Sequence, residues 1–193
     1  MTAIDTLLSR ASVSELGDPA PAGRALDSIL EAGLRAPDHG KLRPWRFVLI
    51  RGAARQAWAD TIVAAVRARD PAAPDAIVQK QRNRALNTPL IIALGARLHP
   101  GHKIPEIEQL MSVGSAAMNM LNAAHALGYG AVWLTGANAY DPAIVAALGL
   151  APTDKLAGFL FVGTPKEPPR TLRRPDLADH VVDWAGAPVR EPA

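Results

Sequence analysis

Three cations, Arg35, Lys41 and Arg43, and a histidine, His39, fall within the segment RAPDHGKLRPW, just ahead of the strand-like run RFVLI. Pro37 and Pro44 stand in the same segment. Proline fixes φ and narrows the unfolded ensemble, so this loop is stiffened while it carries charge. A stiff cationic loop suits the presentation of charge to an anionic or polar ligand. Elsewhere Arg, Ser and Thr stand at the ends of elements. Arg10 and Ser12 close a first helix, Thr135 ends a strand, and Arg173 and Arg174 precede Pro175. Each alone is an ordinary surface residue, but together they are the means of holding a phosphate and a polar ring where no dedicated loop exists, because Arg binds phosphate through paired N–H groups.

Much other chemistry is excluded by what the chain lacks. It has no cysteine, hence no thiolate nucleophile, disulfide framework or Cys-ligated zinc. The histidines, His39, His99, His102, His125 and His180, show no metal-ligand spacing. No G-x-G-x-x-G, Walker loop, H-E-x-x-H or G-x-S-x-G occurs. The Gly128–Gly130 stretch GYG precedes its strand, the wrong order for a dinucleotide fingerprint. Net charge is +3 and the pI about 9.6, with 16 of the 21 basic residues Arg, but aromatics make up only 5%. That leaves little to stack on bases, and no nucleic-acid partner is expected. Lys80, Arg82 and Arg84 read as a solvated helix face. No apolar run reaches the ~18 residues of a membrane span. The N-terminus lacks a basic region, a long apolar stretch and a cleavage site, which reads as cytoplasmic.

The elements that must position these residues alternate between helix and strand. Ile4, Leu7 and Leu8 mark a first helix; Leu26, Ile29, Leu30 and Leu34 recur at helical spacing until Pro37. Phe47–Ile50 reads as a strand, then a helix with Trp58, Ile62 and Val66 on one face, then a helix from Asp75 to before Pro89. The run PLIIALGAR is a buried strand. Pro105–Leu127 is one long helix expected to turn Ile107, Leu110, Met111, Gly114, Met118 and Leu121 inward, with Gly128 as its stop. Gly114, Ser115, Ala116 and Ala117 on it admit a close backbone or a flat ligand, though plain helix packing explains them as well. GAVWLT is a third strand. DPAIVAALG is a helix with Asp141 as N-cap and Pro142 at its first position, and KLAGFLFVG a fourth strand. The thirty residues from Thr164 hold six prolines and no helical period, so they cannot form a core of their own. Val181, Val182 and Trp184 are apolar enough to dock, most economically across a partner chain.

Taken together, LLSRASVSEL, ILEAGLRAPDHGKLRPWRFVLI, GYGAVWLTG and DKLAGFLFVGTP resemble the FMN-dependent nitroreductase family, in particular its compact members. The likeness runs from Asp5 to about Pro165. It implies a single domain over residues 1–193 of the α+β class: a central, mainly antiparallel sheet surrounded by helices. The 164–193 tail would wrap the partner of an intertwined homodimer with FMN at the subunit interface. It also implies site residues: Arg10, Ala11 and Ser12 line the flavin from one chain, Arg35 and His39 approach from the other, and Trp133, Leu134 and Thr135 complete the site, to which the phosphate-binding chemistry of arginine adds Arg174. Catalysis is left to the cofactor, and no side chain is assigned a catalytic role. The implied activity is that of an NAD(P)H oxidoreductase passing electrons by a ping-pong mechanism to nitroaromatic, quinone or similar small acceptors, with Arg35 and Lys41 as cations near the ring.

Against the family pattern, Ala11, Lys41, Arg43 and Leu134 are departures. They stand where a second Arg or polar residue, an Asn, a Gln and a basic residue are usual, which leaves a non-catalytic flavin store or sensor as the alternative. A nicotinamide-binding role for Ala123–Gly128 is set aside, because a helix C-terminus repels phosphate.

Overall fold

Side-chain alternation along the strands decides the architecture. In the computed structural model, which describes residues 2–168, 174–184 and 186, strand β3 (Leu90–Ala96) is buried along its whole length. For that to hold, both of its faces must be covered. The preceding elements are α1 (Ala3–Ser9), β1 (Leu16–Gly17), α2 (Gly23–Gly33), β2 (Trp45–Arg51), α3 (Ala54–Arg69) and α4 (Asp75–Asn87). Those following are α5 (Glu106–Ala126), β4 (Gly130–Leu134), α6 (Pro142–Ala147) and β5 (Lys155–Pro165). β3 runs antiparallel between β2 and β5. β4 pairs antiparallel with β5 from Gly130–Gly163 to Leu134–Phe159, and β1 pairs antiparallel with the end of β5 through Leu16–Pro165 and Gly17–Thr164.

Successive strand residues face opposite sides, so the sheet divides two cores. Ile91, Ala93, Val132, Phe159 and Phe161 join Trp58, Ile62, Val78 and Ile144 beneath α3, α4 and α6. Leu90, Ile92, Leu94, Ala131, Leu160 and Val162 join Leu26, Ile29, Val113 and Met120 beneath α2 and α5. Local signals agree with these boundaries. Thr2 and Asp5 form a capping box at α1. Asp141 caps α6 through the Ala143 N–H, ahead of Pro142. Gly128 and Gly149 take φ of 84° and 72° at the ends of α5 and α6, backbone that glycine adopts most readily.

The expected α+β class and antiparallel sheet are observed, and each expected helix and strand is present. One expectation fails. Of the residues assigned to the inner face of α5, only Leu121 is buried; Ile107 and Met111 are 63% and 64% exposed and Met118 38%. The face against the sheet is instead Gln109, Ser112, Val113, Ala116, Ala117, Met120 and Ala124. Small side chains let the helix sit close on the flat sheet and leave the larger apolar ones on its outer side. α5 is therefore apolar on two faces, the pattern of a helix covered from both sides. β1 was not anticipated either; two residues carry too little pattern to read.

Candidate functional site

The end of α1 brings together three of the sequence-derived residues. Arg10 leaves the helix with extended geometry (ψ 128°) while its N–H still bonds Thr6. The chain then runs beside the start of β4, where the Val13 N–H donates to the Ala131 carbonyl. Arg10 and buried Ala11 line a cavity of about 240 Å³ with Leu121, His125, Gly128 and Tyr129, against the last turn of α5. Arg174 Nη2 donates to the carbonyls of Leu8 (3.2 Å) and Arg10 (2.6 Å), tying the C-terminal segment to this turn. Ser12 is exposed beside it, and Arg173 lies outside the described residues. The Nε and Nη1 atoms of Arg10 are shut off from solvent and have no hydrogen-bond partner among the described residues. Burying a cation with unused donors is costly, so such a guanidinium is a place for an incoming anion.

The end of β4 carries the second group. Trp133 lies on the α5 side of the sheet, where its indole N–H donates to the Ala157 carbonyl at 3.0 Å. Leu134 faces the other way. With Thr135 it lines a narrow slot whose remaining walls include Trp58, Phe159, Phe161 and Arg84. Leu134, Phe161 and Arg84 are shared with an adjoining cleft of about 240 Å³ that also holds Ser14, Lys80 and Lys166. The Arg84 guanidinium sits 5.9 Å from the Phe161 ring centroid. Three cations of α3 and α4, Arg67, Arg69 and Arg82, are paired with Asp75, Asp141 and Asp60. Lys80, Arg84 and Lys166 have no such carboxylate partner among the described residues, and Glu15 is the one carboxylate lining their cleft.

Lys80 and Arg84 are exposed, as a solvated helix face requires, and both also border the cleft that holds Leu134, while Arg82 pairs with Asp60.

The segment after Thr135 is held from below. Arg69 donates to Asp141 and, at 2.6 Å, to Asn138 Oδ1. Burial pushes the Asp141 carboxyl upward, but the bonds from Arg69 and from the Ala143 and Ile144 backbone outweigh it and hold the group below the usual carboxylate range.

Arg35 and His39 are elsewhere. Arg35 lines a shallow groove with Leu7, Ala32, Asn119 and Asn122, and the His39 ring lies 2.6 Å from Glu108 at the start of α5. Neither lines the cavity of Arg10 or the slot of Thr135. Asn122 Oδ1 is buried without a partner among the described residues, although Asn119 beside it donates to the Ala32 carbonyl. The cationic loop is stiff, as its prolines suggest, but by further means: Lys41 and Arg43 hold positive φ of 54° and 51°, and the Arg43 N–H is bonded by Asp38 Oδ2 at 2.7 Å. One chain thus holds the site residues as separate groups, with the Arg35 and His39 pair turned outward.

Known proteins resemble this chain along most of its length. The protein named Putative NAD(P)H nitroreductase YdjA, from Escherichia coli strain K12, is 40% identical over 166 residues, covering 86% of this chain and 90% of its own length. A Haemophilus influenzae protein, Putative NAD(P)H nitroreductase, is 33% identical with the same coverages. Among solved structures, a nitroreductase-like protein from Bacillus cereus superposes with a TM-score of 0.83 at 23% identity, over 96% of this chain and 97% of its own. A putative nitroreductase from Desulfovibrio desulfuricans, solved in complex with FMN, gives 0.73 at 27% identity over 95% and 97%. The model of the Nitroreductase family matches residues 7–164, and with these relatives the chain belongs to that family.

Proposed function

We propose that this chain is an FMN-dependent NAD(P)H oxidoreductase that acts as a homodimer and passes electrons, in a ping-pong cycle, to nitroaromatic, quinone or similarly electron-poor acceptors. The observation that carries the reading is the pair of buried, unpartnered N–H-bearing atoms of Arg10. A monophosphate answers them despite the α5 C-terminus at the same cavity, because the full charges of Arg10 and of Arg174, which grips the same turn, exceed the roughly half unit of negative charge at a helix end; Ser12 is beside them. The relatives' names, and the FMN complex of a family member at 27% identity, support the choice of cofactor and donor.

When bound, FMN itself supplies the chemistry of accepting a hydride and releasing electrons. The chain's part is placement. Arg10, Ser12 and Arg174 hold the phosphate. Ala11 offers only its backbone. Trp133, Leu134 and Thr135 present a strand end against which a flat ring rests, and Arg84, Lys80 and Lys166 raise the positive potential of the adjoining cleft, which favours negative charge placed there. Arg35 and His39 reach the ring or its ribityl chain from the second subunit, as does Lys41.

The homodimer reading rests on the outer face of α5. Ile107, Met111 and Met118, with Leu7 and Leu8 of α1, are apolar side chains left exposed in one chain. A second copy laid on this face covers them, brings Arg35 and His39 toward Arg10, and offers donors to Asn122 Oδ1. The Pro-rich tail, in which Val181, Val182 and Trp184 are exposed, reaches across the same interface. Among the described residues no helix is long and apolar enough to cross a membrane; a cytoplasmic location belongs to this proposal.

The test is the purified protein itself. It should be yellow, release FMN on denaturation, and oxidise NADH or NADPH steadily when a nitroaromatic or quinone is supplied. Bound FMN without turnover would favour the store or sensor, and failure to take up added FMN would overturn the reading.

A further inference from the structure

The start of β5 breaks the regularity of the sheet at one residue. Ala93 opposes Phe159 and Gly95 opposes Leu156, so the single residue Leu94 faces both Ala157 and Gly158. The same break appears in the packing. Leu156 and Phe159, three apart, enter the same core, whereas an unbroken strand would send them to opposite sides. This is a β-bulge, and Gly158 takes φ +126° within it, a conformation that side chains rarely adopt.

The bulge lies where the β4–β5 ladder stops, since the last pair is Leu134–Phe159. A Cβ on Gly158 would stand 2.6 Å from Trp133 Nε1, 2.7 Å from the Leu134 carbonyl oxygen and 3.0 Å from Thr135 Cγ2. Trp133 and Leu134 end β4, and Thr135 follows them. The carbonyl that receives the Trp133 N–H is that of Ala157, the bulge's other residue. No flexible side chain stands in the way that could simply swing aside: one of the three contacts is backbone, and the indole is held by its own hydrogen bond.

We propose that Gly158 is a positioning residue of the flavin site: its bulge ends β4 at Leu134 and fixes Trp133 and Thr135 at the distance from the sheet that the ring requires. The inference rests on the reading of the β4 end as a flavin contact, and it adds a residue that touches no ligand. A displacement of about 1 Å at a positioned reactive group costs roughly a hundredfold in rate. Relieving an overlap of this kind demands a shift approaching that size.

The experiment titrates FMN into apo forms of the wild type, Gly158→Ala, Gly95→Ala and Trp133→Phe, following the visible spectrum of the bound flavin and the thermal midpoint of each apo protein. Gly95→Ala is the structural control: its Cβ would meet Leu150 Cδ2 at 2.8 Å and the Arg46 carbonyl at 3.1 Å, away from the end of β4. Both glycine variants should melt earlier. Gly158→Ala should raise the FMN Kd at least about tenfold, a change of roughly 1.4 kcal/mol, and shift the flavin bands, while Gly95→Ala leaves Kd and spectrum as in wild type.

Trp133→Phe removes the N–H bonded to Ala157 without adding bulk, and should shift the flavin bands in a folded protein; it also decides the matter if Gly158→Ala does not fold. A Gly158→Ala protein with wild-type Kd and spectrum, or a Trp133→Phe protein with an unaltered spectrum, overturns the inference alone. A wild type that takes up no FMN overturns the reading beneath it, and the inference with it.

Discussion

Arg10→Ala separates a ligand anchor from a structural counter-charge, because the two roles predict opposite effects on the empty protein. Nε and Nη1 of Arg10 are buried without a partner among the described residues, so truncation removes desolvated donors that none of those residues satisfies. Leaving a buried donor unpaired costs about 1–3 kcal/mol. The apo variant should therefore melt no earlier than wild type, and as much as several degrees later, at about 2–4 °C per kcal/mol for a chain of this size. With ligand the sign reverses. Losing a charge-assisted hydrogen bond to phosphate should weaken FMN by about 1.5–3 kcal/mol, roughly ten- to a hundredfold in Kd. Turnover per bound flavin should scarcely change, since the phosphate end is not where electrons move. Arg174 bonds the Arg10 carbonyl, not its side chain, so the tether of the C-terminal segment survives the substitution. Flavin fluorescence titration and thermal melts of both apo proteins give the answer. The rival role is also physical: the C-terminal carbonyls of α5 lie against the same cavity and favour a cation. An apo variant that melts earlier and binds FMN with unchanged affinity would refute the anchor and establish that role.

Three further outcomes are expected. Asp141→Asn keeps a capping acceptor but breaks the pair with Arg69, and should cost roughly 1–3 kcal/mol in urea denaturation at pH 7. Because the folded carboxyl is held below its unfolded value, that contribution is fully present above about pH 4 and is lost as the pH falls through the lowered folded pKa, so wild type and variant should converge as the solution is acidified. Met111→Glu with Met118→Glu, on the exposed apolar face of α5, should yield a monomer by sedimentation and abolish FMN retention. Arg84→Ala should make the flavin midpoint potential more negative by tens of millivolts, measured by dye-linked titration, because it removes a cation from the cleft beside Leu134.

How far the sequence revealed all this depended on whether one chain holds the answer. Strands β2 to β5 and every helix could be read, since each is fixed by its own period and punctuation: Asp141 and Pro142 open α6, Gly128 closes α5, and Pro89 separates α4 from β3. The orientation of α5 could not. Its Ile and Met side chains are apolar, and periodicity alone does not say which of two apolar faces meets the sheet; the small face won by packing closer. Arg84 is exposed, as its charged helix suggests, and only the packing of β4 and β5 shows that it also borders a cleft. Gly158 went unrecognised because a bulge depends on register against Leu94, which no local pattern encodes. Arg10 and Arg174, 164 positions apart, could be grouped by their phosphate-binding chemistry, but only the folded chain shows that Arg174 bonds the Arg10 carbonyl.

The central claim is that each flavin site is built from two chains, and mixed dimers test it directly. Subunits carrying Arg10→Ala and Arg35→Ala, differently tagged and co-purified as heterodimers, should place both defects in one site and leave the other wild type. FMN titration should then show about half the sites with wild-type affinity. If instead every site is weakened and none retains that affinity, Arg10 and Arg35 serve flavins from the same chain, and the composite interface site is wrong.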